Sequence, residues 1–192
     1  MGQLGWYYCG LCSTMNWLGD PPPHPRPGKC VANPDPPGKH KIISFEFDLP
    51  VFDPTSGALN GQKNWFFCVK CAEMFWAGNG DALGNDPPRL AGICPAGGKH
   101  DRGDKFSAPA SFNFALPHPN VDGLPVATPG TQQGWGFCGK CNALVFFETW
   151  VSCGVCPVVS PPPIGSEHSI TGAEFNFVLP HNANFLNEFP PS

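Results

Sequence analysis

Charge is the commodity this chain has least of. Only 14% of its 192 residues are Asp, Glu, Lys or Arg, the net charge is −4, and Lys and Arg never gather into a run. The broad cationic face that holds a phosphate backbone is therefore missing, and nucleic acid is not an expected partner. Long apolar runs are missing too. No stretch approaches the roughly 20 apolar residues of a membrane helix, and the first 30 residues lack a basic start followed by an apolar h-region. The expectation is a soluble chain with no visible signal peptide, cytoplasmic or secreted by a non-standard route. Enzyme signatures are absent as well: there is no H-E-x-x-H, G-x-S-x-G or P-loop, and H-x-E is not paired with P-C-x-x-C as in zinc deaminases. We therefore expect no enzymatic activity.

What the chain has in excess is turn formers, aromatics and cysteine. Twenty-five prolines and 23 glycines make up about a quarter of it, which disfavours long helices and favours turn-rich β structure. Sixteen Phe and six Trp supply a core.

An internal repeat organises the ten cysteines. "GWYYCGLCSTMNW" begins at Gly5, "NWFFCVKCAEMFW" at Asn64 and "GWGFCGKCNALVFF" at Gly134. All have the form W-x-x-C-x-x-C-x-x-(Met/Leu)-x-(Trp/Phe), which aligns Trp6, Trp65 and Trp135, and then Trp17, Trp76 and Phe146. Each copy passes through a Pro/Gly-rich loop to a further cysteine and a histidine: Cys30 and His40, Cys94 and His100, Cys156 and His168. Each closes on "SFEFDLP" (44–50), "SFNFALP" (111–117) or "EFNFVLP" (174–180). That alternation predicts a half-buried strand that stops at proline, with Phe45, Phe47 and Leu49 and their counterparts facing inward. Stretches 50–61 and 117–134 carry the turn residues of linkers. The predicted architecture is all-β, with few or no helices: three small metal-stapled units in tandem and in pseudo-threefold arrangement, spanning 1–52, 60–118 and 130–192. Units of this size bury too little surface to stand alone, so they need staples, close packing with one another, or both.

Zinc fits the cysteines best. Leaving Cys153 aside, every copy holds three cysteines and one histidine, and three thiols cannot all pair within one unit. A redox C-x-x-C belongs at a helix start in a βαβ setting rather than among strand-forming aromatics. A Cys₃His shell, by contrast, asks for a C-x-x-C turn that aims two thiolates at one ion, completed by distant ligands. The expected metal ligands are Cys9, Cys12, Cys30 and His40; Cys68, Cys71, Cys94 and His100; and Cys138, Cys141, Cys156 and His168. They would hold up to three structural Zn²⁺ ions. The loops between second and third ligands, 17, 22 and 14 residues long, suit closure by spatial approach. Two alternatives stay open: a disulfide framework, allowed by the even total, and a third site completed by Cys153 in place of His168.

With these residues in view, the middle copy, "NWFFCVKCAEMFW" with "GICPAGGKH", resembles a tandem zinc-binding-type repeat of bacterial and fungal proteins. That repeat has the general form W-x-x-C-x-x-C-x-x-(Leu/Met)-(Phe/Tyr)…C-P-x-G-G-x-H. The likeness covers residues 64–116. The first copy, with "CVANPDPPGKH", and the third, with "CPVVSPPPIGSEH", lack the Pro-x-Gly-Gly. The family has no settled activity, so the resemblance implies the repeat and its ligand set but no function.

A filled Cys₃His shell leaves no open position for a substrate, which points to binding or assembly. The expectation is lectin-like recognition of a carbohydrate or cell-surface ligand, since repeated surfaces gain avidity against a polymer. Aromatic and amide side chains suited to sugars include Trp17, Trp76, Asn60, Gln62, Gln132 and Asn182. The residues singled out as ligand-binding are Trp150, His118, His181, Asn120 and Asp122. Trp6, Trp65 and Trp135 are expected in the core. The competing readings are a self-assembling structural protein, with open strand edges, and a defence or toxin protein whose sugar binding serves targeting.

Overall fold

A computed structural model describes residues 2–19, 28–33, 38–51, 61–78, 91–103, 111–117, 130–147, 154–158, 167–171 and 177–187. Among the described residues there is no helix, and none long and apolar enough to cross a membrane. The strands are β1 (Gly2–Tyr8), β2 (Met15–Trp17), β3 (Ile43–Pro50), β4 (Gln62–Phe67), β5 (Met74–Trp76), β6 (Phe114–Leu116), β7 (Thr131–Cys138), β8 (Leu144–Phe146), β9 (Ile170–Thr171) and β10 (Phe177–Asn187).

Each copy builds the same antiparallel trio. The strand carrying the first Trp pairs with the short strand after the C-x-x-C, in the registers Trp6↔Trp17, Trp65↔Trp76 and Trp135↔Phe146. Its other edge takes the Phe strand, with Trp6↔Phe47, Trp65↔Phe114 and Trp135↔Phe177. Every Trp–Phe ladder is interrupted by a bulge just before the Trp. There Gly5, Asn64 and Gly134 adopt φ of 85°, 69° and 89°, and the extra residue turns the indole inward.

The copies pack in cyclic order, first on second, second on third, third on first. Trp6 meets Phe114 edge-on at 5.2 Å, Trp65 meets Phe177 at 5.3 Å and Trp135 meets Phe47 at 5.3 Å. Trp17 lies on Phe67, Trp76 on Phe137 and Phe146 on Tyr8 in the same order. Backbone bonds follow it too: Trp17 N to Ala72 O, Trp76 N to Asn142 O and Phe146 N to Ser13 O, at 2.9–3.0 Å. One core therefore draws on all three copies, and Trp6, Trp65 and Trp135 are wholly buried in it. An indole of about 150–250 Å² stabilises by roughly 4–6 kcal/mol at ~25 cal/mol/Å², as an upper bound.

Three sequence-based expectations need correction. β10 runs through Pro180 to Asn187 rather than stopping at the proline. At that point it changes partner, leaving β7 (Pro180↔Thr131) for β3 (His181↔Phe47, Phe185↔Phe45), so the missing proline N–H falls where pairing switches. β7 begins at Thr131, inside a stretch read as linker, because β10 pairs with it there. Phe47 and Leu49 are core residues, but Phe45 is only half-buried and Phe112 is 55% exposed. These two lie two residues before the one opposite the Trp, outside the shared core. The pairing of β3 with β10 joins the first and third copies in one sheet, β2-β1-β3-β10-β7-β8 with β9 on β7, while the second copy forms its own, β5-β4-β6.

Candidate metal centres

The turn between the paired cysteines is the same in each copy. The first cysteine's carbonyl accepts from the amide of the residue after the second (Ser13, Ala72 or Asn142) at 2.7–2.9 Å, and its amide reaches Thr14, Glu73 or Ala143 O at 2.9–3.0 Å. Ser13, Ala72 and Asn142 pay for this with φ of 63°, 67° and 62°, a left-handed conformation that costs a non-glycine residue about 1 kcal/mol. The result is two thiols aimed at one point.

The other two ligands arrive from the loops. Cys9, Cys12, Cys30 and His40 place their ligand atoms within 4.8 Å of one another, as do Cys68, Cys71, Cys94 and His100, and Cys138, Cys141, Cys156 and His168. All twelve are buried. The sulfurs of Cys9 and Cys30 are 3.9 Å apart, those of Cys68 and Cys94 3.8 Å, and those of Cys138 and Cys156 3.8 Å. A tetrahedral ion with metal–sulfur bonds of about 2.3 Å sets such edges at about 3.8 Å, whereas a disulfide needs about 2.05 Å. Histidine Nδ1 lies 3.4, 3.4 and 3.5 Å from Cys12, Cys71 and Cys141 Sγ. The donor chemistry and spacing suit a metal such as zinc, and all nine described cysteines are free thiols. His168 thus stands in the third group; Cys153 lies outside the described residues.

The electrostatics point the same way. Cys9, Cys68 and Cys138 lie well below the ordinary thiol range, because hydrogen bonds from the second and third cysteines stabilise their thiolates. The second cysteines move upward: Cys12 and Cys71 chiefly through burial, Cys141 chiefly through its bond to Cys138. Cys94 is pushed up to about 12, chiefly by its bond to Cys68. Sulfurs that resist losing a second and third proton when packed together are those a cation's charge deprotonates.

The centres also lock the copies to one another. Nε2 of His40 reaches Cys71 O at 3.2 Å and Nε2 of His168 reaches Cys12 O at 3.1 Å, the outer-shell bond that orients a metal-bound imidazole. Two residues before each third cysteine, Gly28, Gly92 and Gly154 have φ of 61°, 58° and 64°. A Cβ there would sit 1.8, 1.9 and 2.3 Å from the carbonyl oxygens of Cys71, Cys141 and Cys12. These glycines were readable as the shared "GKC", "GIC" and "GVC", a signal hidden by the unequal loops before them.

The residues expected to meet sugar fare differently. Trp150, His118, Asn120, Asp122 and Asn60 lie outside the described residues. His181 stacks on Phe45 at 4.2 Å and meets Phe47 edge-on. Gln62 and Gln132 accept the indole N–H of Trp65 and Trp135 at 3.0 and 3.2 Å, and Asn182 donates to Glu46. Trp17 and Trp76 give their N–H groups to Leu4 O and Lys63 O. One conspicuous group escaped the sequence reading altogether: Glu73, wholly buried between the first and second centres, its carboxyl pushed well above the usual range by burial and then by the charge of Cys68. No protein-family model matches the chain, and no curated protein or solved structure matches it.

Proposed function

We propose that the protein is a non-enzymatic binding scaffold held by three structural zinc ions, with its recognition surface in the segments that differ between copies. One observation carries this reading: three complete, buried four-donor shells placed where the copies meet. Four protein donors leave no position for a substrate or an activated water, which supports a structural role. Structural zinc contributes roughly 10–16 kcal/mol in small peptides, comparable to the stability of a whole domain. Elemental analysis of the purified chain tests it. The expected result is close to three zinc per chain, with loss of the β-type circular dichroism on chelation; a folded, zinc-free protein would refute it.

Carbohydrate or cell-surface recognition is the finer proposal, supported by the aromatic and amide content of the variable segments around Trp150, His118, Asn120 and Asp122. A glycan array checks it. Binding that Trp150→Ala abolishes, with zinc content unchanged, supports the lectin-like reading, and an array without binding rejects it.

A further inference from the structure

The position two residues past the second cysteine differs in every copy: Thr14, Glu73 and Ala143. These residues lie where the copies touch, in the isolated bridges Thr14↔Val145, Asn16↔Glu73 and Phe75↔Ala143. The side chains of Glu73 and His100 are both fully buried, and Glu73 Oε2 lies 3.9 Å from His100 Nε2. Its other neighbours are Thr14 Oγ1, 3.4 Å from Oε1, and Cys71 Sγ, 3.7 Å from Oε2.

His100 is the odd histidine of the three. Its Nδ1 faces Cys71 Sγ at 3.4 Å, as its counterparts do in their groups. Yet its Nε2 is buried without a hydrogen-bond partner, where His40 and His168 each reach the carbonyl of a cysteine in the next copy. The cyclic order would give it Cys141 O. The approach of Gly92 to that carbonyl is kept, but the histidine bond is not made.

We propose that Glu73 is the positioning residue of the second metal centre: its carboxyl takes the outer N–H of His100 in place of the missing carbonyl, and this sets the second centre apart from the first and third. The inference rests on the metal reading above. A carboxyl partner fixes the tautomer and orientation of a metal-bound imidazole and strengthens it as a donor. The present separation is about 1 Å longer than an N–H···O bond. The imidazole stacks on Phe75, with centroids 4.9 Å apart and planes at 12°, so closing the gap falls to the carboxyl. Glu73→Ala installs the residue that the third copy already carries as Ala143, and Glu73→Gln keeps an oxygen able to accept the same proton.

The test is cadmium-113 NMR of the cadmium-loaded chain, combined with chelator competition. Glu73→Ala is expected to shift one of three resonances and weaken that one equivalent 10- to 100-fold, leaving the other two in place, with Glu73→Gln restoring most of the loss. Three unaltered resonances, or all three weakened together as a general loss of packing would produce, overturns the assignment. A wild-type chain that binds no metal fails differently, refuting the metal reading itself.

Discussion

Nε2 of His168 lies 3.1 Å from the carbonyl oxygen of Cys12, 156 positions away in sequence. One imidazole thus belongs to the third metal group and holds the first copy's C-x-x-C turn, closing the cyclic order of contacts. His168→Cys separates the two roles, since a thiolate can replace Nδ1 as ligand but cannot donate to the carbonyl. The expected outcome is unchanged metal stoichiometry with a loss of about 1 kcal/mol, or a fall in Tm of about 2–4 °C for a chain of this size, read by calorimetry.

Burial of the ligands makes the metal readable through thiol chemistry. The nine described cysteines are 0–3% exposed, so native protein should resist alkylation. After chelation, mass spectrometry should show at least nine alkyl groups per chain without prior reduction. A requirement for reductant would reveal disulfides and exclude the zinc shells.

The glycine before each third cysteine is a steric requirement. Gly92→Ala puts a methyl 1.9 Å from Cys141 O at a φ of 58°, so the loop must withdraw and carry Cys94 with it. The expected cost is about 3 kcal/mol or more. Gly97→Ala in the same loop meets no atom within 4 Å, though at a φ of 100°, and should cost less. Denaturant midpoints of the two variants measure the difference.

Trp65→Ala removes a ring packed on Phe137 and Phe177 of the third copy. A loss of about 3–5 kcal/mol is expected, and because the core is shared, unfolding should remain a single transition rather than release the second copy alone. Coincidence of tryptophan fluorescence and circular dichroism curves checks this.

Much of the fold was legible because it is local. A strand needs alternation, a C-x-x-C needs only its own turn, and a repeat declares itself by recurrence, so the recurring Trp and Phe segments and the candidate ligands of each group could be found by spacing, with Cys153 left as an alternative to His168 in the third. Glu73 could not, because a lone glutamate in "CAEMF" reads as a solvated residue until the neighbouring copies cover it. Gln62 and Gln132 misled for the same reason: an amide near the surface looks available until an indole three residues on claims its oxygen. The extension of β10 past Pro180 was hidden because proline ends a strand unless the partner changes at that residue.

Sequence alone determined which residue types recur and at what intervals, and hence the β class and the candidate donors, with Cys153 or His168 open for the third set, because thiolate and imidazole chemistry is carried by the side chains themselves. Only the tertiary structure decided what each of these groups faces. The cyclic packing of indole on phenyl, the carbonyl that each histidine meets, the division into one long sheet and one short, and the seclusion of Glu73 all depend on segments far apart in the chain. Such contacts are selected by the shape and hydrogen-bonding needs of the assembled core, which no local interval encodes.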